Sequence, residues 1–174
     1  MKKFSLAGLL MAMMGAASAQ VYVGGAFGPS HVEDCGVYSC DKSDTGYKVY
    51  GGYKINPIIA IEAAYIDYGK AKITTIGGGD VSADGFLINA AFRHHATREL
   101  SLVGRVGLSM LDAKLRRPLG STSDSSTKLY FGLGLEYAFT KNLKGTVSAD
   151  FTSAEVAGED ANVRLISIGA QYDF

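Results

Sequence analysis

The sequence predicts an all-β protein, an eight-stranded antiparallel up-and-down barrel that crosses a membrane, and three observations carry that reading. Side chains alternate between bulky apolar and small or polar types over stretches of about ten residues, the period of a strand whose two faces meet different surroundings. The connections between those stretches alternate short and long, as an up-and-down membrane barrel requires. Apolar residues make up 47% of the chain, yet no uninterrupted apolar run reaches the ~18 residues that would announce a membrane helix. A closed sheet is the other way to span a bilayer, because every backbone amide then bonds to a neighbouring strand.

At the amino terminus, Lys2 and Lys3 precede an apolar run over 4–14 that leads to Ala17-Ser18-Ala19, a small-residue pattern of the kind signal peptidase cuts. Residues 1–19 are therefore expected to be a signal peptide, and 20–174 a single barrel domain. The run of about 11 apolar residues is too short for a hydrocarbon core that needs ~20 in a helix. Loss of Lys2 and Lys3 leaves 15 basic against 17 acidic residues, so the exported chain carries about −2 and shows no basic footprint for nucleic acid.

The eight strands are predicted at 21–27, 46–55, 58–68, 81–93, 100–111, 128–139, 143–152 and 163–174. Short turns fall at Asn56-Pro57, 94–98 and 140–142; longer connections, rich in Gly, Ser and Asp, fall at 28–45, 69–80, 112–127 and 153–162. Short turns are expected at the periplasmic side and long loops outside, with both termini periplasmic.

The sixth strand shows which face meets which solvent. Leu129, Phe131, Leu133, Leu135, Tyr137 and Phe139 share one side; Lys128, Tyr130, Gly132, Gly134, Glu136 and Ala138 share the other. Only the first can bear lipid. The seventh sets Leu143, Val147 and Phe151 against Lys144, Thr146, Ser148, Asp150 and Thr152, and the eighth sets Ile166, Ile168, Ala170, Tyr172 and Phe174 against Ser167, Gly169, Gln171 and Asp173. A soluble barrel of the lipocalin sort would turn its bulky side inward, and glycine and charge would then cover its outside poorly. Tyr53, Tyr65, Tyr137, Phe139, Tyr172 and Phe174 lie near strand ends, where aromatic girdles form at a membrane interface.

The stretches Tyr47-Lys48-Val49-Tyr50-Gly51-Gly52-Tyr53, Ile61-Glu62-Ala63-Ala64-Tyr65 with Asp67 and Gly69, and Gly132-Leu133-Gly134-Leu135-Glu136-Tyr137 carry a family likeness. So does the terminal pattern of Ser167, Gly169, Tyr172 and Phe174, which resembles the signal by which outer-membrane barrels are recognised for assembly. Over nearly the whole exported chain the sequence is similar to the small eight-stranded outer-membrane barrels typified by the OmpA transmembrane domain and OmpX. The resemblance implies an integral outer-membrane protein with a polar, largely closed interior laced by salt bridges. A full-length OmpA protein continues into a peptidoglycan-binding domain; this chain stops at Phe174, so anchoring to the cell wall is not expected.

Glu62, Arg105 and Glu136 fall at similar depth on the inward face and are expected to form an ion network, with Lys48 and Asp150 as a second layer above. Charges withdrawn from water are costly unless paired, and an interior of eight strands is only wide enough for its own side chains. Cys35 and Cys40, the only cysteines, lie in the first long connection and are expected to pair in an oxidising compartment, restricting the unfolded loop by roughly 2 kcal/mol. His31, Glu33 and Asp34 nearby match no standard metal spacing. Some small barrels modify lipid A with a histidine, a serine and an acid at the outer leaflet; His94 and His95 sit at the opposite end, and Ser30 and His31, being adjacent, point apart. The sequence thus reads as a non-enzymatic, cofactor-free barrel that contributes to envelope integrity and displays four loops. Its expected partners are outer-membrane lipid and lipopolysaccharide, the barrel-assembly machinery and host-surface ligands, with the barrel itself a monomer. A narrow porin-like channel is the alternative, and a lipid A-modifying enzyme a more distant one.

Overall fold

The computed structural model describes the backbone of residues 20–33, 40–41, 43–73, 79–117, 120–156 and 159–174, and the side chains of 20–31, 44–69, 82–112, 126–153 and 162–174. The strands are β1 (Val21–Glu33), β2 (Cys40–Asp41), β3 (Ser43–Lys54), β4 (Ile59–Ile73), β5 (Gly79–His95), β6 (Leu100–Arg117), β7 (Gly120–Ala138), β8 (Leu143–Val156) and β9 (Glu159–Asp173). Every pairing is antiparallel, and β9 returns to pair with β1, which closes the sheet. The two-residue β2 pairs with β4 above β3 and continues the same stave, so the nine segments make an eight-stranded barrel.

Register fixes the shape. Paired residues run from Tyr22 through Gly52, Glu62, Asn89, Gly107, Tyr130, Thr152 and Val163 back to β1 at Val32, ten residues above the start. With ordinary strand spacings, that stagger tilts the strands about 40° from the axis and sets a backbone radius of roughly 8 Å. Such a bore is filled by side chains from opposite walls.

The three periplasmic turns are built alike. Asn56 Oδ1 accepts from the amides of Ile58 (2.8 Å) and Ile59 (2.7 Å), Thr97 Oγ1 from Glu99 (3.2 Å) and Leu100 (3.0 Å), and Thr140 Oγ1 from Asn142 (3.2 Å) and Leu143 (2.9 Å). In each, a side-chain oxygen satisfies the two amides that the reversal leaves unpaired.

Outside, the apolar stripe stands bare: Leu129, Phe131, Leu133, Leu135 and Tyr137 of β7, Val147 and Phe151 of β8, and Ile166, Ile168 and Tyr172 of β9 are all exposed. Tyr53, Tyr137, Phe139, Tyr172 and Phe174 ring the periplasmic end, with Tyr137 and Phe139 5.4 Å apart and Tyr172 and Phe174 5.1 Å apart, centroid to centroid. Tyr65 joins Tyr47 (6.3 Å) and Phe86 (5.4 Å) higher on the wall.

Two expectations are corrected. The staves run well past the alternating pattern on the external side: β6 reaches Arg117 and β7 starts at Gly120, so most of the loop placed at 112–127 is a hairpin extension. Likewise β1 reaches Glu33, β4 reaches Ile73, and β5 starts at Gly79. Above the bilayer there is no lipid to demand an apolar face, but the backbone ladder needs none. At the other end, His94 and His95 belong to β5, pairing with Leu102 and Ser101, and the turn is tighter than the one placed at 94–98.

The second correction concerns the lumen, whose lining is not polar throughout: in its external part large apolar side chains join buried Ser30, Ser109 and Thr152. Its external part is packed with Ile66, Tyr68, Leu87, Leu111, Val163 and Leu165, each at most 2% exposed. Residues 1–19 and Cys35 lie outside the described residues, as does the Cys40 side chain, so the cleavage site and the cysteine pairing have no structural counterpart here.

Candidate functional site in the barrel interior

Inward glycines make the site possible. Gly24 lies under the Tyr50 ring and Gly52 under the Tyr22 ring, so a side chain at either position would occupy the space these tyrosines fill. The two rings meet edge to face at 6.5 Å and form a floor against which the guanidinium groups lie: Arg93 is 4.6 Å from the Tyr22 centroid and Arg105 5.8 Å from that of Tyr50.

Glu62, on β4, is the centre of the lower network. It accepts from Arg105 Nε (2.7 Å), Arg93 Nη2 (3.3 Å) and the Tyr22 hydroxyl (2.6 Å). Glu136, on β7, accepts from Arg93 Nε (3.2 Å) and Nη2 (3.2 Å), and pairs at 3.7 Å with both Arg105 and Lys144. Lys144 also reaches Asp173 (2.9 Å), which Lys54 holds from the other side at 2.6 Å while Gln171 Nε2 donates at 2.7 Å. Seven strands, β3 to β9, thus meet through charge across the bore.

Above this lies a smaller cluster. Lys48 Nζ is 2.6 Å from Asp150, which also accepts from the Tyr130 hydroxyl and from Ser148 Oγ at 3.2 Å; Ser148 in turn bonds Ser167 at 3.0 Å. Lys48 and Asp150 are 4% and 0% exposed, so each ion depends on the other for solvation.

The structure therefore brings Glu62, Arg105 and Glu136 together, and Lys48 with Asp150. Arg93, Lys54, Lys144, Asp173, Tyr22 and Tyr130 complete the clusters and were not singled out in the sequence. Strand parity held a signal for them: Lys144 and Asp173 fall on the inward side of their strands, and Arg93 lies in phase with Asn89 and Ala91. Of the terminal pattern, Ser167 and Gly169 face the bore and Tyr172 and Phe174 face outward. Ser30 points inward, its hydroxyl donating to the Tyr68 carbonyl, whereas His31 occupies the outward phase of β1.

The external part seals the bore by packing. A side chain at Gly46 would come 3.0 Å from Leu165 Cδ1, so Leu165 of β9 leans across β1 toward β3. Two buried atoms of the described lumen, Tyr68 Oη in this part and Asn89 Oδ1 beside Glu62, have no hydrogen-bond partner. Among the described residues no group of histidine, cysteine, aspartate and glutamate side chains is arranged to hold a metal ion.

Comparison with known proteins agrees with the architecture. The chain matches the family described as "Outer membrane protein beta-barrel domain" over residues 4–174. It is 28% identical over 167 residues to outer membrane protein A of Salmonella typhi, covering 88% of this chain and 48% of that protein. It is 25% identical over 163 residues to the protein of the same name from Escherichia coli O157:H7, covering 88% and 47%. The chain thus spans about half the length of the curated relatives it matches. Among solved structures it is similar to Neisserial surface protein A, with a TM-score of 0.70 and 16% identity over 88% of this chain and 97% of that one. Ail of Yersinia pestis follows the same fold, at TM-score 0.61 and 22% identity over 91% and 100%. Wall, closure and relatives agree on an integral protein of the bacterial outer membrane, and the chain belongs to the outer membrane protein β-barrel family.

Proposed function

We propose that this protein is a non-conducting, non-enzymatic barrel that contributes to envelope integrity and presents its four external hairpins for contact with surfaces outside the cell. The observation that carries the reading is the doubly closed lumen: ion pairs across the periplasmic part, and an aliphatic and aromatic plug above them. A hydrated ion would have to break buried pairs and then shed its water in an apolar constriction, and both steps are unfavourable. Function then falls to the wall and the external hairpins, since rigid scaffolds concentrate their variable chemistry in such segments. Ail of Yersinia pestis, a barrel of this fold, has been solved in complex with the heparin analogue sucrose octasulfate, so the scaffold is compatible with a ligand-binding role.

Export by removal of residues 1–19 and assembly through Ser167, Gly169, Tyr172 and Phe174 belong to the same reading, as do a Cys35–Cys40 disulfide, contact with lipopolysaccharide and a monomeric state. The test compares cells with and without the protein for leakage of periplasmic contents and for binding to host cells or matrix. Leakage or lost binding on deletion supports the reading; a cell unchanged in both overturns it. Stable single-channel currents from the refolded protein in planar bilayers would favour the porin-like alternative.

A further inference from the structure

At the periplasmic mouth a cavity of about 340 Å³ is lined by Gln20, Lys54, Asn56, Arg93, His95 and Lys144, beside Pro57. Its polar lining is dominated by donors. Asn56 Oδ1 is committed to the amides of Ile58 and Ile59, which leaves its NH2 group to donate, and His95 is held at the rim by Nδ1 bonding to Ser101 Oγ at 2.8 Å. The ion pairs are also layered. Lys54 and Lys144 are 20% and 16% exposed toward the opening, whereas their carboxylate partners Asp173 and Glu136 are 9% and 2% exposed. Within the described network, four cations (Lys54, Arg93, Arg105, Lys144) meet three carboxylates (Glu62, Glu136, Asp173), so one positive charge is in excess. A site that is partly withdrawn from water, positive in balance and rich in donors is complementary to an oxyanion.

We infer that this vestibule is an anion site that takes a phosphate-type oxyanion from the periplasmic side. Two sources share that chemistry: free phosphate in the periplasm, and the phosphodiester of a glycerophospholipid in the inner leaflet. The protein's own carboxylates hold the cations in place, and the ligand balances the remaining charge without displacing them.

The test is amide NMR of the isotope-labelled protein in a sugar-headgroup detergent, which carries no phosphate of its own. One arm titrates inorganic phosphate at constant ionic strength against chloride; the other dopes the micelles with phosphatidylglycerol, using diacylglycerol as control. Saturating shifts at Lys54, His95 and Lys144, with none at Lys48, are expected by about 10 mM phosphate or at low lipid fraction. The arm that saturates identifies the source. Lys54→Gln and Lys144→Gln are each expected to weaken binding about five- to tenfold, and Lys141→Gln, in the turn outside the cavity, to leave it unchanged. Asn56→Asp keeps the acceptor oxygen that caps the turn and places a negative charge at the lip, so it should abolish binding while the spectrum stays folded. Non-saturating shifts in both arms, or saturation indifferent to Asn56→Asp, would overturn the proposal.

Discussion

The excess of cations in the lower network makes its members unequal, and Glu62→Gln tests this most directly. The substitution keeps the side chain's shape and an oxygen for the Tyr22 hydroxyl, but removes the charge that Arg105 approaches at 2.7 Å and Arg93 at 3.3 Å. Four cations would then share two carboxylates, and both guanidinium groups would depend on Glu136, which already pairs with Lys144. Leaving a buried charge uncompensated costs about 3–5 kcal/mol. Arg105→Met runs the other way: Glu62 keeps Arg93 and Tyr22, Glu136 keeps Arg93 and Lys144, and the network becomes neutral. Its expected cost is about 1–3 kcal/mol, mainly from donors lost to carboxylate oxygens. The assay is reversible urea unfolding of the protein in phospholipid vesicles, followed by far-ultraviolet circular dichroism and by gel mobility of the folded form, with free energies from linear extrapolation. Equal costs for the two variants, or a Glu62→Gln protein within about 1 kcal/mol of the parent, would refute the charge balance inferred here.

Asp150→Asn should also cost about 3–5 kcal/mol in the same assay, because Lys48 loses its carboxylate while 4% exposed; the double variant Lys48→Met, Asp150→Leu should recover most of that loss. Leu133→Arg, on the lipid face where Leu133 is 66% exposed, should destabilise the barrel in vesicles by roughly 2–4 kcal/mol, and a smaller effect would mean that Leu133 lies away from the midplane. Two glycines of β6 should differ sharply. Gly107→Ala drives a methyl group against the Ile88 carbonyl and Asn89 and should cost about 1–3 kcal/mol, whereas Gly104→Ala points into open space and should leave the unfolding midpoint nearly unchanged. Leu165→Ala should cost about 2–5 kcal/mol if it packs as a core residue; a protein of parental stability would show that the plug is loose.

The alternation that revealed the barrel is legible because a lipid-spanning stave has two unlike faces, and β7 writes them in full from Leu129 to Tyr137. Where lipid ends, that record ends as well. The external halves of β6 and β7 pair backbone to backbone, and 112–127 carries no apolar alternation that would distinguish a tall hairpin from a loop. Three charges of the lower network, Glu62, Arg105 and Glu136, are legible from parity and depth on the inward phases of their strands. Arg93 ends the strand predicted at 81–93, yet its long side chain reaches back over Tyr22 into the network, a displacement that depth counting along the backbone misses. The plug stayed hidden for a related reason. Ile66, Leu87, Leu111 and Leu165 are apolar on inward phases, and a two-faced pattern gives no means of telling an apolar lumen from a strand whose phase has slipped.

The direct pairing of β1 with β9, from Tyr22 and Asp173 to Glu33 and Asn162, has a consequence for biogenesis. Partners so distant in the chain give a high contact order, and until they meet, both terminal staves carry a row of unbonded amides that hydrocarbon will not tolerate. The nascent sheet must therefore be sheltered, or curl almost to completion, before it sinks into the bilayer.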